Sequence, residues 1–181
     1  MTLTYADLTD SERRQLGHAV HEAGHAVAAT IFGGRIERAE LEPARTTYAH
    51  VPAERWAEIT FAGPWASARY AAGGPPSSMH LRAAMAEHQS DAHALTAAGD
   101  YRPREVPRHL STCWGGVIAL ARRIYVEGSA GHEDVLAALQ LPTDRGDDLG
   151  VELASIRAGS WPVSILRPAE GDAWRLHPMP S

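Results

Sequence analysis

The stretch that most constrains this chain is His21-Glu22-Ala23-Gly24-His25. On an α-helix two residues four apart lie about 40° apart around the axis, so His21 and His25 present their imidazoles side by side from successive turns. Such a pair can grip one zinc ion. Glu22 is swung about 100° around the axis from His21, which leaves it beside the metal and free to act as a base on a water the metal activates. The pattern points to a zinc hydrolase, with His21 and His25 as metal ligands and Glu22 as the catalytic residue.

The bare pattern is only moderately specific, and the chain holds 10 histidines, so the surrounding sequence has to supply a helix. It does. Thr9-Asp10-Ser11-Glu12 reads as a capping box and Gly33-Gly34 as a stop, which predicts a helix over about 10–32. Between them Leu16, Val20, Ala23, Val27 and Ile31 recur at three- and four-residue steps on the side away from the histidines. This stripe is expected to pack while His21 and His25 face a cleft. The competing reading is a helix whose histidines are merely solvated or capped by neighbours.

At 181 residues the chain has room for one domain with a real core. Its formal charge of −5 gives no electrostatic reason to expect nucleic acid or an anionic membrane surface as a partner. Cys113 is the only cysteine, so no disulfide framework and no cysteine-held zinc is available, and any metal falls to histidine and carboxylate. A reducing cytoplasm is the expected compartment. The N-terminus lacks the basic start and apolar centre of a signal peptide, and no apolar run approaches the roughly 20 residues that cross a bilayer.

Further along, 35–42 reads as an edge strand ended by Pro43, and 44–53 as a loop bordering the cleft, with Tyr48 and His50 in it. Helical spacing returns over 54–72, with a kink or restart expected at Gly63-Pro64. After the break at Gly73-Gly74-Pro75-Pro76, one helix is expected over 78–98, carrying Glu87, His88, Asp91 and His93. The two prolines of 102–107 read as a connector. Helices are expected over 114–127 and 133–141, and a small one near 149–157, while 160–181 should be irregular, with Trp161 and Trp174 packing on the domain.

Zinc hydrolases commonly use three protein ligands and keep a fourth position for water. Spacing alone leaves Glu87, His88, Asp91 and His93 open as the third. The run Ala19-Val20-His21-Glu22-Ala23-Gly24-His25-Ala26-Val27 resembles the zinc-binding helix of the peptidase domain of FtsH, the membrane-anchored AAA+ protease. Phe61-Ala62-Gly63-Pro64-Trp65-Ala66 is similar to that family's Gly-Arg-Ala-Ala-Glu helix, with Pro64, Trp65 and Ser67 where the family has its arginine and glutamate. Ser90-Asp91-Ala92-His93-Ala94-Leu95 is similar to its Ser-Asn-Asp-Leu segment. Ile118-Ala119-Leu120-Ala121-Arg122 and His132-Glu133-Asp134-Val135-Leu136 resemble its closing helix pair. The resemblance covers about 15–141 and implies Asp91 as the third zinc ligand. Glu87-His88-Gln89-Ser90-Asp91 also fits the E-x-x-x-D pattern by which thermolysin-like enzymes supply a glutamate, so Glu87 is the alternative.

The resemblance implies a mainly α, compact metallopeptidase domain over 1–141, with at most a short strand or hairpin after the first helix. Residues 142–181 would form a partly irregular extension packed on it. The cofactor would be Zn2+ and the substrate a polypeptide. Without the ATPase module and membrane anchor of FtsH, such a domain is expected to cut flexible segments or a specific protein target, or to rely on a separate unfoldase. The rival readings are a regulatory metallopeptidase of the ImmA/IrrE type and a catalytically silent, zinc-bound adaptor. Retention of Glu22 speaks against the adaptor. For stabilising the transition state, His50, His80 and Tyr70 are available.

Overall fold

The computed structural model describes residues 8–99, 103–142 and 147–159. Among these the chain is mainly α, with eight helices and a small three-stranded sheet. The first helix, α1, spans Asp10–Ile31. It opens with the expected capping box: the Glu12 amide donates to Thr9 Oγ1 at 3.3 Å, and the Thr9 amide donates to Glu12 Oε2 at 2.7 Å. The burial of α1 is wider than a single stripe. Every residue from Ala19 to Ile31 is buried, because α1 runs through the middle of the molecule with other helices on several sides. Its small side chains allow this. A Cβ placed on Gly24 would fall 2.7 Å from the carbonyl oxygen of Ala62 and 2.7 Å from Ala66 Cβ, so the glycine of the motif is what lets the neighbouring helix lie against it.

That neighbour is α2, Trp56–Ala72, preceded by a 3₁₀ turn at Ala53–Arg55. The helix does not restart at Gly63-Pro64 but runs through Pro64. Proline removes one amide, not the helix, and the backbone hydrogen bonds on either side carry it past the gap. On the other side of α1 lies α6, Trp114–Glu127, with Val117, Leu120, Ala121 and Ile124 fully buried. It ends at Gly128, where φ is +78°.

The region after α1 forms a hairpin: β1, Arg35–Leu41, pairs antiparallel with β2, Ala44–His50. Two expectations need correction here. The 44–53 segment is largely a strand and not a loop, and β1 is a central strand and not an edge. Its second neighbour is β3, Ser129–Ala130, which pairs with Glu40 and Ala39 to give the order β2-β1-β3. Two residues between Gly128 and Gly131 are too short to show any alternation, so β3 has no signature in the sequence.

The predicted helix over 78–98 is two: α3, Ser78–Glu87, and α4, Gln89–Ala98. His88 breaks it, at φ −104° and ψ 68°, in a stretch with neither glycine nor proline. A further helix, α5, covers Glu105–Thr112, part of which had read as connector. Pro107 is its third residue, and the first turn of a helix needs no intrahelical amide donors. Next come α7, His132–Ala138, shorter than expected, and α8, Asp147–Ala158. From α8, Leu153 and Ile156 enter the core, and Arg157 donates to the carbonyl of Ile31 at 2.8 Å. The expectations for Trp161 and Trp174 lie outside the described residues. No helix among the described residues is long and apolar enough to cross a membrane.

Candidate metal centre

Four elements meet around the midpoint of α1. The helix presents His21, Glu22 and His25, which are only 4%, 4% and 6% exposed. The His21 and His25 rings stand nearly perpendicular, at 86°, with their Nε2 atoms 3.0 Å apart. From the first turn of α4, Asp91 brings Oδ2 to 3.0 Å from His21 Nε2 and 3.4 Å from His25 Nε2. The break at His88 is what gives α4 a direction of its own, and Asp91 follows it by three residues.

The partners of the two rings fix what those nitrogens carry. His25 Nδ1 lies 2.8 Å from the carbonyl of Ile59, which can only accept, so Nδ1 bears the hydrogen and Nε2 is a bare lone pair in the neutral ring. His21 Nδ1 lies 3.2 Å from Ser67 Oγ on α2. Two ring nitrogens and a carboxylate oxygen therefore converge with too few hydrogens among them. Burial and the adjacent His25 push the His21 imidazole well below the usual range. Burial also opposes charge on His25, but the hydrogen bond that the Asp91 carboxylate accepts from it, the charge of Asp91 and that of Glu22 outweigh burial and raise His25. Burial works against ionisation of Asp91 too, yet its hydrogen bonds to His21 and His25 hold it well below the usual carboxylate range. The three donor atoms thus surround a position that a cation fits. Donors around a tetrahedral zinc are about 3.3 Å apart, close to the spacings seen here.

The fit depends on α2 having no side chain at one point. A Cβ on Gly63 would lie 2.3 Å from His25 Nε2 and 2.7 Å from His21 Cε1. Gly63 was not among the expected site residues, although a glycine in the interior of a predicted helix is a recognisable sign of close approach.

His88 also belongs to this neighbourhood. One ligand atom each of His21, His88 and Asp91 lie within 4.8 Å of one another. Its ring, however, stacks on His21 with centroids 3.5 Å apart and planes at 17°. Lone pairs of stacked rings run side by side, so an ion in the plane of His21 lies off the plane of His88 by nearly the stacking distance. His25, perpendicular to His21, meets the geometric demand that His88 does not. Glu87 and His93 are exposed and do not line the cleft.

Glu22 lies in the same cleft, of about 320 Å³, with its Oε2 accepting from Thr46 Oγ1 at 2.8 Å. Burial raises the Glu22 carboxyl above its ordinary range, while His25 and the Thr46 hydrogen bond oppose that rise. Thr46 and Tyr48 both lie on β2 two residues apart and line the cleft, with Trp56 in edge contact with Tyr48 at 5.6 Å between centroids. Burial, then the charges of Glu22 and Asp91, push the Tyr48 phenol far up, so it stays a donor. Reading 44–53 as a loop concealed this alternation. Of the three residues considered for transition-state stabilisation, none lines the cleft. His50 is exposed at the end of β2, His80 closes the N-terminus of α3 through Ser77, and Tyr70 packs against the core.

Comparison with known proteins finds no family model, no curated protein and no solved structure that matches this chain.

Proposed function

We propose that this chain is a zinc-dependent metallopeptidase that hydrolyses peptide bonds in flexible or unfolded polypeptides, with a zinc helix akin to that of the FtsH peptidase domain. The observation that carries the reading is the convergence of His21 Nε2, His25 Nε2 and Asp91 Oδ2 within 3.4 Å of one another, with the Glu22 carboxylate in the same cleft. His21, His25 and Asp91 would hold the ion, and zinc when bound supplies Lewis-acid activation of water and of the substrate carbonyl.

The remaining chemistry falls to side chains of the chain. Glu22 takes the proton of the attacking water and hands it to the leaving amine. The Thr46 hydroxyl, donating to Oε2, holds the Glu22 carboxylate in place for both steps. Tyr48, held protonated, is the hydrogen-bond donor of the cleft for the oxygen on which negative charge develops. The reacting groups are almost wholly buried at the base of the cleft, which favours an extended chain over a folded surface as substrate. Folded targets would have to be unfolded before they could enter. The single cysteine, buried and outside any disulfide, suits a cytoplasmic setting.

The test is metal analysis with casein cleavage. The purified chain should contain about one zinc, cleave casein, lose activity to a chelator and regain it with zinc. Glu22→Gln should keep the zinc and lose about 10²- to 10⁴-fold in turnover. Cleavage that survives removal of the metal, or a Glu22→Gln protein as active as the parent, defeats the proposal.

A further inference from the structure

His21 and His25 are held from behind in different ways, and the difference gives His88 a task. A carbonyl oxygen such as that of Ile59 only accepts, so it fixes the His25 tautomer unaided. A serine hydroxyl both donates and accepts. Were Ser67 to point its hydrogen at His21 Nδ1, that nitrogen would become the lone pair, and Nε2 would carry a hydrogen into the metal position. Something has to draw the hydroxyl hydrogen elsewhere. Ser67 Oγ lies 3.4 Å from His88 Nε2 as well as 3.2 Å from His21 Nδ1, so the one hydroxyl faces the edges of both stacked rings.

We propose that Ser67 and His88 form an outer relay that sets the metal-binding tautomer of His21: His21 Nδ1–H donates to Ser67 Oγ, and Ser67 O–H donates to His88 Nε2. The proposal rests on the metallopeptidase reading and extends it to two positioning residues that act through His21. It also gives a role to the position in which the break at His88 leaves its ring. The chain departs from regular helix at His88 in a segment with no helix breaker, and that departure brings the imidazole flat against His21.

Zinc affinity, read by competition with a chromophoric chelator on the full chain, tests this. Ser67→Ala and His88→Phe should each weaken zinc binding about 10- to 100-fold, although phenylalanine preserves the stacked ring. The double variant should be no weaker than Ser67→Ala alone, because both changes break one chain of hydrogen bonds. His88→Gln, whose amide oxygen can accept from Ser67, should recover most of the affinity. Melting of the zinc-free proteins separates lost folding from lost binding. Tight zinc binding that His88→Phe leaves unchanged overturns the relay, as do losses that multiply in the double variant. Should His88→Phe fail to fold, unaltered affinity in Ser67→Ala overturns it equally. A parent chain that binds no zinc defeats the metallopeptidase reading itself, and the relay with it.

Discussion

Replacing Gly63 by alanine separates the proposed metal centre from the fold. The added methyl would sit 2.3 Å from His25 Nε2, 2.6 Å from His25 Cε1 and 2.7 Å from His21 Cε1. Comfortable contact between such atoms begins near 3.5 Å, so His25 Nε2 has to retreat by roughly 1 Å. The rings yield first, because α1 and α2 are already in contact at Gly24. Backbone geometry raises no objection, and alanine gains up to about 1 kcal/mol of helix propensity over glycine. Overpacking costs about 1–3 kcal/mol. Net stability should therefore stay within about 2 kcal/mol of the parent, a modest part of a typical total of about 5–15 kcal/mol. Metal binding has no such compensation, since ligand distances must hold to about 0.2 Å. A displaced His25 leaves two donors, and zinc affinity should fall by at least about 100-fold. Chelator competition and melting of the zinc-free protein measure the two quantities on one sample. A Gly63→Ala protein that binds zinc within about threefold of the parent would refute the placement of these three donors.

Gly24→Ala should behave in the opposite way: its methyl meets the Ala62 carbonyl and Ala66 Cβ at 2.7 Å, backbone and a short side chain that cannot swing aside, so stability falls by about 1–3 kcal/mol in urea unfolding. Thr46→Val removes the hydrogen bond that favours ionised Glu22, so its carboxyl pKa rises further. The acid limb of the kcat/KM profile should then move to higher pH, and an unmoved limb would disconnect Glu22 from that limb. Tyr48→Phe should lower kcat by about 10²- to 10³-fold with zinc content unchanged, and a near-normal kcat would remove Tyr48 from the chemistry.

Local rules carried the reading of α1 a long way. The capping box, the stop at Gly33-Gly34 and the four-residue step between His21 and His25 are properties of neighbouring residues, so the helix and the adjacency of the two rings were legible without any tertiary contact. The mainly α class, with at most a short strand or hairpin after α1, was legible for the same reason. The break at His88 was not, because nothing in Glu87-His88-Gln89 disfavours helix. At the break His88 meets Ser67 and His21, residues 21 and 67 positions away, and such long-range contacts leave no local signal. For the same reason spacing left Glu87, His88, Asp91 and His93 unresolved: a single helix would project all four from one axis, whereas the second axis of α4 sets Asp91 against the histidines and leaves Glu87 and His93 exposed. Thr46 was hidden because its strand pairs with β1, whose other neighbour is only two residues long. Sequence alone determined which side chains α1 offers. Packing decided what faces them, because Gly63, Ser67, Thr46 and Asp91 come from three other elements whose approach depends on small residues and long-range pairing.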